Sequence, residues 1–140
     1  GSRLLGLGAV GSIEPTTVGQ LAAHIAGIVP EAAQGIRWTG DADREVRTVA
    51  LCPGVGDSFL DIAAGSGADV YITSDLRHHP ALEHIEAAAD PLDVPALIDV
   101  AHSASEALWL PEAAALLAEA LPDLEVTISE LSTDPWNGRA

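Results

Sequence analysis

Methionine is absent from the 140 residues, and cysteine, phenylalanine and tyrosine occur once each. A lone cysteine, Cys52, cannot close an internal disulfide, which excludes a disulfide-stapled secreted scaffold and fits a reducing, cytoplasmic setting. At the end of the apolar run 49–51 it reads as a small buried hydrophobe rather than a reactive thiol. Basic residues are scarce too, 6 against 21 acidic ones, for a formal net charge of −15. That balance repels phosphate backbones and anionic lipid, so neither nucleic acid nor a membrane surface is expected as a partner. A bare anionic substrate is repelled as well unless a bound cation offsets the field locally. No apolar run approaches the ~20 residues of a membrane span, and no basic-then-apolar signal segment occurs. A soluble, cytoplasmic protein is the expectation.

What is present suits one domain: 48% of the residues are hydrophobic, alanine prominent among them, in a chain of ordinary domain length. Gly1-Ser2, with no methionine ahead of them, read as the remnant of a cleaved tag and are set aside. Residues 3–136 read as a single α/β domain and 137–140 as a frayed tail. Within it, 4–10 suits an edge strand or entry loop. Thr17-Val-Gly-Gln20 has capping-box spacing, followed by Val18, Leu21, Ala22, Ile25 and Ile28 at helical intervals until Pro30. Strands are predicted over 36–39, 46–51, 68–73, 95–100 and 124–129, the last closing the sheet. Helices are predicted from 59 to 64, from 80 to 89 and from about 105 to 121, the third kinked or restarted at Pro111. Strands alternating with helices imply a mostly parallel mixed sheet flanked by helices.

Two of these strands end in chemistry-bearing clusters, Asp99-Val-Ala-His102-Ser-Ala-Ser-Glu106 and Thr73-Ser-Asp75-Leu-Arg-His78-His79-Pro80. Open α/β sheets bind ligands just beyond the carboxyl ends of their strands, so the clusters read as two walls of one cleft. If a helix starts near Ser103, His102 and Glu106 lie about a turn apart and can converge on zinc, iron, manganese or nickel. The same residues Ser103 to Glu106 also spell a capping box, in which the glutamate satisfies only a backbone N–H. Asp99 reads as an orienting partner for the histidine or as a buried acid bonded to loop amides. Asp75, His79 and His78 are the other cleft-lining candidates, with His79 aimed back over the strand ends by Pro80. His24 and His84 have no convergent partners and read as surface or interface residues. The loop Pro53-Gly54-Val-Gly56-Asp-Ser58 joins strand to helix and offers amides to an anion, although it lacks the P-loop lysine and a dinucleotide fingerprint; a tight turn is the equal alternative.

The segments 67–79, 98–106 and 132–135, with the glycine-rich loop, resemble the NIF-three-like dinuclear metal-centre family, whose members are often labelled GTP cyclohydrolase type-two proteins. The resemblance runs from about Leu4 to Trp136 and covers only the C-terminal half of such a protein. It implies half of a NIF-three-like fold, with His102 and Glu106 as ligands in a two-metal site and Asp75 and His79 lining the cleft. It also implies that a His-His pair and an aspartate come from an N-terminal half, the expected partner, and that the protein forms a homo-oligomer. Ser74 and Ala101 stand where the family usually has glycine, and Ser103 where it has an aromatic, so crowding or loosening is expected there. The implied activity is metal-dependent hydrolysis of a nucleotide-like small molecule, weak or absent in this chain alone. Two other readings stay open: a non-catalytic adaptor or assembly module with a structural or vestigial metal site, and an anion- or nucleotide-binding domain built on Gly54, Gly56 and Ser58.

Overall fold

The computed structural model describes residues 6–140. The expected tag remnant and the first two residues of the expected entry strand lie outside that range. Strand β1 (Ala9–Thr17) leads into helix α1 (Val18–Ile28), a two-residue strand β2 (Arg37–Trp38) and the long β3 (Glu45–Val55). Then come α2 (Leu60–Ala64), β4 (Val70–Ser74), α3 (His78–Glu86), β5 (Ala96–Val100), α4 (His102–Ala107) and α5 (Leu110–Ala120). The five strands form one sheet in the order β1-β3-β4-β5-β2. Its centre, β3-β4-β5, is parallel, and both outer strands are antiparallel to their neighbours. The α/β layer with a mixed sheet is therefore the observed architecture.

Alternation along the central strands sends side chains to two cores. Val70, Ala96, Ile98 and Val100 meet Val18, Ala22 and Ile25 of α1 and Ala101 and Ala104 beside or within α4. On the opposite face Tyr71 and Leu97 meet Ala50, Cys52, Leu60 and Ala63, with Leu76 and Ala81 packed against them. Helices α1 and α4 thus cover one face, and α2 and α3 the other. Burial of each such Val, Leu or Ile stabilises by roughly 1.5–3 kcal/mol.

Helix α1 begins as its spacing requires: the Thr17 hydroxyl accepts from the Gln20 amide at 3.3 Å, although the Gln20 side chain turns to Thr16 rather than back to the cap. Strand β3 runs past the expected end at 51, because the register with β4 slips between Leu51 and Val55 and the chain bulges there. The third predicted helix is two: α4 starts at His102, and α5 restarts with Pro111 in its first turn. The expected strand over 124–129 does not form; those residues are irregular, with Leu124 and Ile128 exposed. The place beside β5 is taken instead by β2, through Arg37 opposite Asp99 and Trp38 opposite Ile98.

Candidate metal centre

Strands β4 and β5 end level, Ser74 opposite Val100. Beyond β4, Asp75 turns the chain with φ +56°, the one positive φ among described residues other than glycine. Beyond β5, Ala101 leads directly into α4, whose first residue is His102. The two elements meet through the imidazole. Its Nδ1 lies 2.6 Å from the Asp75 carboxylate and its Nε2 lies 3.0 Å from Glu106 Oε1, one helical turn on. The hydrogen bond with Asp75 raises the His102 pKa above the ordinary imidazole value; partial burial opposes the rise, and Glu106 adds to it. The capping-box alternative fails, because no side chain caps α4 and Glu106 faces His102 instead.

The bulge of β3 supplies the third wall. Gly54 has φ +69°, and a Cβ there would sit 2.8 Å from Glu106 Oε1 and 3.3 Å from His102 Nε2. Only glycine leaves that space clear. Ser105 ties the three walls together: its hydroxyl donates to the His102 carbonyl at 2.8 Å and accepts from Ser74 Oγ at 3.0 Å and the Gly54 amide at 3.2 Å. Ser74 is fully buried in this contact, so its side chain knits the site rather than crowding it, and Ala101 packs into the core beneath α4. Neither Ser105 nor the bulge carried a sequence signal beyond the glycines themselves.

The other expected site residues go elsewhere. Asp99 is buried and accepts from Gln34 at 3.3 Å, from Arg37 and from the Leu76 amide at 3.1 Å, so it fixes the turn behind Asp75 and does not touch His102. His78 and His79 are exposed at the start of α3, their rings edge to face with centroids 5.2 Å apart, and neither joins the hydrogen bonds around His102. The reason is the sheet itself: α3 packs on the face opposite α4, and the Leu76–Asp99 bond commits the chain to that face immediately after Asp75. His24 is exposed as expected, but His84 is buried and its Nε2 meets the Pro95 carbonyl at 3.1 Å.

The glycine-rich loop does not present open amides at either glycine. The Gly54 amide is bonded to Ser105 and the Gly56 amide to the Ser74 carbonyl, while Thr73 and Tyr71 hydroxyls donate to the Gly54 and Gly56 carbonyls. A Cβ at Gly56 would lie 2.0 Å from Thr73 Oγ1, so close packing accounts for the second glycine. Ser58 is exposed in the turn before α2 and has no hydrogen-bonded base among the described residues.

Chemically, the arrangement is a carboxylate–imidazole–carboxylate row. In the neutral tautomer with the proton on Nδ1, Asp75 accepts from Nδ1–H and the Nε2 lone pair lies beside a Glu106 oxygen. Nitrogen and oxygen donors side by side suit a divalent ion, and the cleared space at Gly54 adjoins them. Among the described residues no three His, Cys, Asp or Glu side chains converge as an ion-binding group, because Asp75 sits on the far side of the ring. His102 and Glu106 are two side chains, fewer than the three or four that a zinc site takes from protein.

Residues 3–135 match the family model Duf34/NIF3 (NGG1p interacting factor 3). The chain belongs to this family. A relative from Streptomyces coelicolor is 46% identical over 136 residues, covering 94% of this chain and 46% of the relative. One from Mycobacterium leprae is 42% identical over 135 residues, covering 95% of this chain and 34% of the relative. Both are named GTP cyclohydrolase 1 type 2 homolog. Among solved structures, a Bacillus cereus protein related to NIF3 superposes with TM-score 0.77 at 31% identity, over 94% of this chain and 35% of that one. The protein ybgI, of unknown function, gives 0.75 at 26% identity, over 91% and 48%. The chain thus spans between a third and a half of these four proteins, and its sheet is half of their fold. No helix among the described residues is long and apolar enough to cross a membrane.

Proposed function

We propose that this family member contributes half of a dinuclear divalent-metal centre in a metal-dependent hydrolase. His102 Nε2 and Glu106 are the ligands, Asp75 orients the ring, and the remaining ligands come from a further part of a longer protein. The observation that carries this reading is the engagement of both His102 nitrogens, at 2.6 Å by Asp75 and 3.0 Å by Glu106. Zinc, iron, manganese and nickel all fit an imidazole–carboxylate pair. Such an ion supplies Lewis acidity, polarising a scissile bond and acidifying water. The chain's own residues do the rest: Asp75 holds the proton on Nδ1, Ser105 fixes the helix start to the bulge, and Gly54 leaves room beside the donors.

The substrate class is a nucleotide-like small molecule, by analogy with the relatives' name; a bound cation reconciles such an anion with a chain of net charge −15. The protein works as a homo-oligomer in the cytoplasm, where a single buried Cys52 stays reduced. Elemental analysis of the longer protein tests the metal centre. Bound divalent metal falls in His102→Ala and Glu106→Gln while unfolding midpoints stay near wild type; unchanged metal content in both would refute the assignment.

One observation favours a second reading, an assembly module. Helix α5 buries no residue, and Trp109, Leu110, Leu116 and Leu117 stand at least two-fifths exposed. Hydrolase activity of the longer protein that disappears in His102→Ala, with the fold and oligomer intact, supports the enzyme. Unchanged function and assembly in that variant support the module.

A further inference from the structure

Residues 124–129, Leu-Glu-Val-Thr-Ile-Ser, alternate apolar and polar side chains and include three β-branched residues in a row, the pattern of a half-buried strand. The structure leaves them irregular. From 125 to 130 no backbone N–H or C=O group forms a hydrogen bond with any described residue. Leu124 is 60% and Ile128 40% exposed, and Val126 is half-buried. In an extended chain these three fall on one side, with Glu125, Thr127 and Ser129 on the other. The segment has everything a strand needs except a neighbour.

This chain's own sheet does not supply one. Its outer strands β1 and β2 pair only with β3 and β5 among the described residues, and 124–129 joins neither open edge. Nor is the segment an appendage to the family's fold, because the family match runs through residue 135. The relatives continue well beyond what they share with it: the chain covers 46% of the Streptomyces coelicolor protein and 34% of the Mycobacterium leprae one, so more than half of each lies outside. A second copy of this chain is a poor neighbour, since each copy brings a net charge of −15 against the other. A sheet edge elsewhere in the same longer molecule is instead held close by the connecting chain, at effective concentrations up to about millimolar.

We propose that residues 124–129 form a strand by adding to an open sheet edge in the part of the longer protein outside this chain. Leu124, Val126 and Ile128 then cover apolar surface there, while Glu125, Thr127 and Ser129 face solvent. Main-chain hydrogen bonds supply the affinity of such an addition, and the alternate side chains fix its register. The proposal rests on the chain being part of a longer protein and requires no metal at His102, so it stands or falls separately from the metal centre.

Amide hydrogen exchange in the metal-free longer protein tests it. Every second amide from 124 to 129 is expected to exchange at least about a hundredfold more slowly than in an unstructured chain, because half the amides of an added edge strand face its neighbour and half face solvent. Val126→Asp, which places a charge under the strand, is expected to abolish that protection while β3, β4 and β5 keep theirs. Glu125→Gln, on the solvent side, is expected to retain it. Cross-strand NOEs in a mixture of isotope-labelled and unlabelled wild-type protein identify the neighbour and need no variant to fold. They are expected within one molecule, between 124–129 and residues outside this chain. Unprotected amides throughout 124–129, NOEs to β1 or β2, or NOEs found only between copies would each overturn the proposal.

Discussion

His102 sits between two carboxylates, and the order of their effects decides how it titrates. Asp75 is the larger influence, raising the pKa through the Nδ1 hydrogen bond, and Glu106 adds to it from the other side. In Asp75→Asn the titration midpoint of His102, followed by its ring proton resonances, falls relative to wild type; a midpoint that stays put would show that Asp75 is not the controlling partner. A raised folded pKa fixes the sign of the linkage. The stabilisation is complete below the unfolded imidazole value of about 6.5 and is lost as pH rises through the higher folded value. Wild type therefore loses stability relative to Asp75→Asn across neutral pH, and denaturation midpoints at several pH values measure it. Gly54 gives a second test at this scale. Gly54→Ala meets both a positive φ and the Glu106 oxygen at 2.8 Å, whereas Gly40→Ala meets φ +80° with nothing within 4 Å. Left-handed backbone costs an alanine about 1–2 kcal/mol. Urea unfolding is expected to show at least that loss for Gly54→Ala and a smaller one for Gly40→Ala; equal losses would mean that the bulge does not press on the Glu106 pair.

Elements carry the site because each strand end is pinned by a different device. Asp99, in β5, accepts from the amide of Leu76, and so holds the turn that presents Asp75 to α4. Asp99→Ala leaves Gln34, Arg37 and that amide without their acceptor, at a cost of about 1–3 kcal/mol, with the Arg37 share reduced by its exposure. Urea unfolding measures the loss, and the His102 midpoint moves toward the Asp75→Asn value if the turn loosens. A stable variant with an unmoved midpoint would break the proposed link from β5 to the site. The same elements explain how much could be read beforehand. Periodicity located α1, β4 and β5, and the His102–Glu106 spacing located the imidazole–carboxylate contact, because these are local properties. The bulge at 52–54 and the hydroxyl of Ser105 were illegible, since both depend on a register slip between β3 and β4. His79 fell outside the site for a related reason: alternation does not say which face of the sheet α3 will cover. Of the two readings of Asp99, the buried acid bonded to a loop amide is the one observed. The absent strand at 124–129 had the right alternation, but the place beside β5 goes to β2, which only the sheet order reveals.

At the scale of the whole molecule, the chain presents half of a longer fold with an imidazole–carboxylate pair at its sheet end and unburied apolar side chains along α5. A strongly acidic protein gathers divalent cations by its field, but field alone has no preference for one imidazole nitrogen. Specific coordination does. The most direct measurement is therefore a Zn²⁺ titration of the longer protein followed by ¹⁵N shifts of the His102 ring, in wild type, Glu106→Gln and Asp75→Asn. The prediction is a saturable change at Nε2 with Nδ1 still protonated, and binding about 10–100-fold weaker when the orienting Asp75 is replaced, with Glu106→Gln weakened at least as much. Zinc that leaves the Nε2 resonance unmoved, or that binds wild type and Glu106→Gln alike, would contradict the account.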